Sequence, residues 1–429
     1  MMKKELKAIL EAAAFAIIIA ASLNFSGCTK VDSPSLYNPS LGNAPAPVVD
    51  SLTPAGSALA GIDTITIYGK NFSTVIDSIQ VSFINYSTKA LAYYARGFLP
   101  IISASPTRLV MIAPAISGDT IQVRVSTLYS EYSSSTYNYR LIPAIAPFST
   151  LASGESFYGI AVGSDDSLYA SISNLNLSGT KDEGIFEIGP SSGIRAASPY
   201  ANPTSGNIGW PDFKFGPSGY IYAAKGQRAV YRLQQGGSGA VWANVTGASF
   251  STLDFDPNHN LWVGGNDKYI YKFSSVDLGL ATVTTVTKFP FVGNVRSMRY
   301  YNGYLYFAAN VGGSQSKVYR APIVNDTLGT PEVYFDLSSD PTGGSNIYAI
   351  TFSADGDMYA GTDSSDYLIV VHPGGTVDRR FSLYVTSKVL TSPCKSFAWI
   401  GTNLFATTAA GDLLKIVARK QGAPSYGIQ

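Results

Sequence analysis

IYAITFSADGDMYAGTDSSDYLIVV, residues Ile347–Val371, decides the fold. An apolar run, Ile347–Ser353, is followed by the turn Ala354–Asp357 and a second run, Met358–Thr362. A polar loop, Asp363–Asp366, then leads into a third run, Tyr367–Val371. The Asp355-Gly356 pair between alternating apolar runs signals a β-hairpin, because Asp and Gly tolerate the backbone of a tight turn. The stretch predicts three antiparallel strands in succession.

The pattern recurs six times. Its second-strand anchors are Leu168-Tyr169, Ile221-Tyr222, Leu261-Trp262, Leu305-Tyr306, Met358-Tyr359 and Leu404-Phe405, spaced by 53, 40, 44, 53 and 46 residues. Turn residues precede each anchor: Asp165–Ser167, Ser218-Gly219, Asn258–Asn260, Asn302-Gly303, Asp355–Asp357 and Gly401–Asn403. Third strands are predicted at Gly184–Ile188, Ala229–Leu233, Tyr269–Phe273, Lys317–Ala321, Tyr367–Val371 and Leu413–Val417. Repeats of this length with several strands each are propeller blades. One blade cannot bury both faces alone, whereas a ring packs each on its neighbours. The anchor aromatics suit the space between blades. Little strand remains after Val417, so the sixth blade needs an outer strand from elsewhere. Ala146–Leu151, ahead of the first blade, is predicted to supply it and close the ring.

Val48 to Ile142 has a different rhythm. Short strands are predicted at Val48–Leu52, Thr64–Phe72, Ile79–Ile84, Arg108–Ala113, Thr120–Val125 and Thr136–Leu141, which reads as a β-sandwich. Arg96–Ile102 reads as an inserted loop. The chain is therefore predicted to be all-β: an immunoglobulin-like β-sandwich, residues 48–142, followed by a six-bladed β-propeller, residues 143–420, and a C-terminal tail, residues 421–429.

Charged residues make up only 14% of the 429, against about 25% in an average soluble domain. Residues 1–27 hold three lysines and two glutamates, so from totals of 30 basic and 29 acidic residues the remainder keeps 27 of each. A neutral chain with no basic stripe excludes nucleic acid as a partner. Two cysteines, Cys28 and Cys394, build neither a disulfide framework nor a zinc site.

At the N-terminus, Lys3, Lys4 and Lys7 precede the apolar run Ala12–Ala21, which is too short to span a bilayer. This is the form of a secretory signal, residues 1–27. Phe25-Ser26-Gly27-Cys28 resembles the lipobox of bacterial lipoproteins. The resemblance implies cleavage before Cys28, acylation of that residue and anchoring to a membrane. Thr29 stands where an Asp favours inner-membrane retention, so the expected location is the outer membrane, facing either the cell surface or the periplasm. Residues 28–47, rich in Pro and Ser, read as an extended tether.

Two further resemblances concern the folded parts. Pro47–Val49, Leu52–Pro54, Gly61–Ile67, Gly69–Phe72, Ser105–Ala115 and Gly118–Val125 resemble the IPT/TIG immunoglobulin-like domain. That resemblance implies a stalk or contact module. The runs Gly159–Val162 to Leu168–Ala170, and Ile350–Phe352 to Met358–Ala360, resemble NHL-type and gluconolactonase-like six-bladed propellers.

In such a ring one face gathers the inner-strand starts and the loops between second and third strands. That places Tyr158, Trp210, Asp212, Arg296, Met298 and Tyr348 near the axis. Around them stand Asn174, Asn176, Lys225, Gln227, Arg228, Asn266, Asp267, Lys268, Asn310, Gln315, Asp363 and Asp366. Aromatic faces stack on sugars while amides and short acids bond hydroxyls, so the face fits a polysaccharide. It also fits a surface protein, since Trp, Tyr and Arg dominate interface hot spots. Tyr158 and Tyr348 also serve a bland role, plugging the channel. Trp210, beside Pro211, is the favoured ligand contact.

Catalytic signals are sparse. His259 and His372 are far apart in the pattern. Gly189–Gly193 matches a nucleophile-elbow string but joins two strands, so it reads as a turn. Asp254–Asn260 begins like a calcium loop but has His259 in place of Gly and Gly265 in place of Glu, leaving at most a weak cation site. Resemblance to gluconolactonases implies an axial divalent metal, with Glu155 as the first ligand and Asp212 as another. The remaining strand starts, Ser251, Arg296, Ile347 and Lys395, lack carboxylates. The expectation is a non-catalytic binding lipoprotein without cofactor, capturing glycan. A protein-binding or envelope-assembly module is the alternative, and a metal-dependent lactonase the third reading.

Overall fold

The computed structural model describes residues 44–427 apart from 96–98, 129, 131–132, 176–180, 205–208, 314, 340–342 and 387. The expectations for the signal segment, Cys28 and residues 28–43, and for Asn176, lie outside the described residues.

Two sheets form the sandwich. One joins Val48–Thr53, Thr64–Lys70, Arg108–Ile112 and Ser103–Ser105. The other joins Ser57–Ala60, Tyr137–Pro143, Gly118–Thr127, Ile79–Asn85 and Ala90–Tyr94. Alternation is visible in Ile79–Asn85, where Ile79, Val81, Phe83 and Asn85 are buried and the residues between them are not. Ile65, Ile67, Leu109 and Met111 meet Val81, Phe83, Val123 and Val125 across the core.

The rest of the chain forms six blades. Closure is as the leftover strand predicts: Ile145–Ser149 pairs antiparallel with Leu413–Val417, uniting the ends of the ring in one blade with Cys394–Ile400 and Asn403–Thr408. The anchor aromatics pack between blades. Tyr169 meets Phe215, Tyr222 meets Phe255, Tyr306 meets Phe352 and Tyr359 meets Trp399, with ring centroids 4.5–5.7 Å apart. Third and fourth blades are less separate than their sequence suggests. Leu261–Phe273 and Thr287–Tyr301 are long elements that link both into one seven-stranded sheet.

Inner strands begin irregularly. The register slips between Phe157 and Ile160, Phe250 and Thr252, Val295 and Ser297, Ile347 and Ala349, and Cys394 and Ser396. Five strands thus carry a bulge, which re-aims the extra side chain. The residues skipped include Tyr158, Ser251, Arg296, Tyr348 and Lys395. Just beyond the bulge, a backbone N–H turns to the neighbouring blade. Ile160 donates to Ser396 Oγ (3.2 Å), Ile350 to Ser297 Oγ (3.0 Å) and Leu253 to the Asp212 carboxylate (3.0 Å).

The C-terminal segment is no loose tail. Gln421–Gly427 crosses the far end of the axis. Ala354 N–H donates to Gln421 O, Gly422 N–H to Gly401 O and Ala423 N–H to Phe352 O. The Arg299 guanidinium donates to the Ala423 and Pro424 carbonyls, and Tyr426 packs edge-on to Tyr300. Gly427 lies so close to Phe215 that a Cβ there would stand 1.9 Å from its carbonyl oxygen.

Sandwich and ring are joined by more than the chain. The Tyr384 hydroxyl donates to Ala60 O (2.5 Å) and accepts from Ala144 N–H (2.6 Å). Leu59 enters the same apolar cluster as Tyr359, Phe381 and Leu390, and Arg419 pairs with Asp63 at 2.8 Å.

Replacing Ser396 by Ala strands the buried Ile160 N–H. An unmade buried bond costs about 1–3 kcal/mol. The expected result is a urea midpoint lowered accordingly; an unchanged midpoint would show that the bond between blades contributes nothing.

Candidate functional site

Strand starts from all six blades surround a cavity of about 760 Å³ at the near end of the axis. Such a volume is typical of a small-ligand site. Its walls include Ser156–Tyr158, Pro211, Asp212, Lys214, Ser251, Arg296–Arg299, Tyr348–Thr351 and Lys395–Phe397, with Leu175, Lys225, Gly226 and Gly411 at its edge. Bulging places Tyr158, Ser251, Arg296, Tyr348 and Lys395 at this wall, whereas strict alternation along a strand sends every second residue into the blade.

Three consecutive bulges make the most charged part of the wall. Two cations stand over the Tyr348 ring: Lys395 Nζ is 3.1 Å from its centroid and the Arg296 guanidinium carbon 5.5 Å. Arg296 is oriented by Asn310, whose Oδ1 accepts from Nε at 2.8 Å and from Ser316 Oγ at 2.9 Å. Burial, followed by the proximity of Arg296, lowers the Lys395 pKa to about 8, against a partial pull upward from Asp363. Asp363 does not reach Lys395 as an ion pair. Its carboxylate accepts from Ser345 N–H, Asn346 N–H and Asn346 Nδ2. Burial raises its pKa, but these bonds outweigh that and hold it below the usual range.

The opposite wall is more self-contained. Asp212 bonds Lys214 Nζ (2.5 Å), Thr252 Oγ1 (2.7 Å) and Leu253 N–H. Arg299 pairs with Asp254 at 3.2 Å, both nearly buried, below the cavity. Lys225 is 5% exposed, and its Nζ sits 4.3 Å over the Trp210 ring with no hydrogen-bond partner. Burial lowers its pKa, with Asp182 opposing.

Of the residues expected near the axis, Tyr158, Asp212, Arg296, Met298 and Tyr348 line this cavity. Trp210 does not offer a face to it. Trp210 is fully buried, packed against Tyr231 and roofed by Lys225, so its role is to fill the space between first and second blades. Gln227, Arg228 and Asn266 are exposed but stand outside the cavity, and Asp267 is taken up by Tyr271. Asp366 is buried and paired with Arg379 at 3.0 Å, so it is structural rather than ligand-facing. Lys395, expected at a strand start but not among the ligand-facing residues, also lines the cavity. Its signal is its alignment with Tyr348 as the second residue of an inner strand.

The metal reading fares badly. Glu155 lies at the rim of the first blade, where its carboxylate bonds Arg195 (2.9 Å) and the Ala152 N–H (2.8 Å). Asp212 is saturated by its own partners, and the wall carries lysine and arginine. In the calcium-like run, Asp256 accepts from Asn258 N–H, Asn260 N–H, Asn260 Nδ2 and Trp262 Nε1, leaving no open oxygen for a cation. Asp254 is spent on Arg299. Gly189–Gly193 is a closed turn, with Gly189 N–H donating to Ile194 O. His259 bonds the Tyr426 carbonyl and His372 bonds Asp357, both away from the cavity.

Two measurements check this description. Trp210→Ala removes a large buried ring and should cost about 3–5 kcal/mol in chemical unfolding; unaltered stability would contradict its burial. Lys395 should titrate with a midpoint near pH 8 by NMR of its labelled side chain. Because the folded form then binds fewer protons than the unfolded chain between about pH 8 and the ordinary value of 10.5, this residue makes stability rise with pH across that window. Lys395→Met should flatten the rise, and a midpoint above 10 would refute the desolvated site.

A search of curated proteins found no match. Among solved structures, a Bacteroides thetaiotaomicron structural-genomics protein of unknown function aligns at 14% identity. It covers 89% of this chain and 99% of its own, with a TM-score of 0.46. An auxiliary nutrient binding protein from Bacteroides ovatus aligns at 13% identity over the same shares, also at 0.46. A Xanthomonas campestris gluconolactonase aligns at 10% identity, covering 71% of this chain and 91% of its own, at 0.43. Residues 47–140 match the family model of the IPT/TIG domain, and this part of the chain is an IPT/TIG domain.

Proposed function

We propose that this protein is a non-catalytic binding lipoprotein that captures glycan through the axial cavity of its propeller. The observation carrying this reading is that cavity, about 760 Å³, walled by strand starts of every blade and offering the rings of Tyr158 and Tyr348 beside hydroxyl and cationic groups. Rings of this kind stack on the apolar faces of sugars, and the polar groups bond hydroxyls. Binding is favoured over turnover by what the wall contains. Among the described residues it has no histidine or cysteine, and its one carboxylate, Asp212, is committed to Lys214, Thr252 and Leu253. A general base needs a free acceptor within reach of the substrate proton, and Lys395, with its pKa lowered to about 8, still carries its proton at neutral pH.

The address follows from the N-terminal sequence. Acylation of Cys28 anchors the chain in the outer membrane, and the IPT/TIG domain acts as a stalk. The Tyr384 clamp supports the stalk role, since it makes sandwich and ring turn together.

Affinity electrophoresis of the full chain in detergent, through gels carrying a broad polysaccharide panel, tests the reading. At least one polysaccharide should retard it, and Tyr348→Ala should weaken that retardation several-fold. Passage through the whole panel without delay would reject glycan capture and direct the search to a protein partner.

A further inference from the structure

The charges of the axial cavity do not balance. Among the described residues, Lys214, Lys225, Arg296, Arg299 and Lys395 line it, against the single carboxylate of Asp212. Two of the five are answered: Lys214 by Asp212, and Arg299 by Asp254 beneath the wall. Among the described residues, no carboxylate stands within ion-pair distance of Arg296, Lys395 or Lys225. Asp363, the nearest acid to Lys395, spends its oxygens on the backbone and side chain of the Ser345-Asn346 segment. Asp182 faces Lys225 only at longer range and bonds the Gly184 and Thr204 N–H groups.

Leaving cations unanswered in a recess is costly, because burial removes the water that would otherwise screen them. The chain nevertheless invests in their placement. Three successive bulges aim Arg296, Tyr348 and Lys395 at one another, and Asn310 fixes the guanidinium. Lys225 adds a buried ammonium with no protein acceptor. A neutral sugar leaves all three as they are. A negative group answers them with charge-assisted hydrogen bonds, the stronger kind.

We propose that the axial cavity seats the anionic group of an acidic glycan, a carboxylate or a sulfate ester, against Arg296 and Lys395, beside the Tyr348 side chain that both cations overlie. This deepens the glycan reading and rests on it for the sugar, while the anion seat stands on the cations alone. Lys225, on the opposite wall with its ammonium over the Trp210 ring, adds a third positive charge to the cavity at longer range. The neutral balance of the chain beyond residue 27 makes such binding local to this site, rather than a general attraction of the surface.

Calorimetric titration of the full chain in detergent tests the proposal. Galacturonate oligosaccharides supply carboxylates, chondroitin sulfate oligosaccharides supply sulfate as well, and cello-oligosaccharides are neutral. Free glucuronate and inorganic sulfate probe the seat without a polymer. The expected result is binding of an acidic set and not of the neutral one, lowered tenfold or more by Arg296→Gln and by Lys395→Gln. Preference for chondroitin sulfate together with a response to inorganic sulfate assigns the sulfate ester; preference for galacturonates assigns the carboxylate. In the wild type, the bound anion should also raise the NMR titration midpoint of Lys395, a readout that needs no variant to fold. Neutral oligosaccharides bound equally by wild type and both variants would overturn the anion seat while keeping glycan capture. Free anions that raise the Lys395 midpoint, with no oligosaccharide bound, would keep the seat and overturn glycan capture. Silence of every probe would overturn both.

Discussion

The bulge at the head of the inner strands is the constraint on which the rest depends. A residue skipped by the ladder cannot point where alternation would send it. It swings to the axis, and the N–H just past it loses its partner within the blade. In this ring the neighbouring blade supplies the missing acceptor, as Ser396 does for Ile160 and Ser297 for Ile350. One local irregularity therefore does two things. It builds the wall of the cavity from Tyr158, Ser251, Arg296, Tyr348 and Lys395, and it ties that wall to the next blade. Ring integrity and site geometry share the same atoms.

Much of the architecture was legible because it is written locally. Hairpin turns such as Asp355-Gly356, apolar runs and the anchor aromatics announce themselves within a few residues. Even ring closure was legible, since a sixth blade short of a strand and an unassigned strand at the other end imply one another. Fourth strands were harder to see. Ala240–Asn244 is exposed at Ala240, Val241 and Asn244, and Val377–Asp378 is only two residues long, so neither shows a clear buried stripe.

The site was less legible, and the reason is register. Whether a residue is paired or skipped depends on a partner strand, not on its own neighbours. Lys395 is recognisable as a strand start, yet its aim at the cavity is fixed only once the opposite strand is known to skip it. Trp210 fails the other way. A large ring beside Pro211 at a strand start looks available, yet first and second blades close over it and Lys225 caps it. Segment 421–427 has no periodicity and reads as a tail. It is held mainly by backbone hydrogen bonds, which leave no pattern in side chains.

That crossing segment has a consequence for what kind of molecule the ring can accept. At the far end of the axis Gln421–Gly427 and the Arg299–Asp254 pair stand across the way, leaving a recess of about 330 Å³ against about 760 Å³ at the near end. A long polymer cannot be threaded through like a string through a bead. Whatever reaches Arg296 and Lys395 arrives as a terminus, a branch or a sharp bend, and leaves by the way it came. For a polymeric guest, the number of free ends per unit mass, more than the mass itself, then sets how often the cavity is filled, so that short fragments compete better than the intact chain from which they were cut.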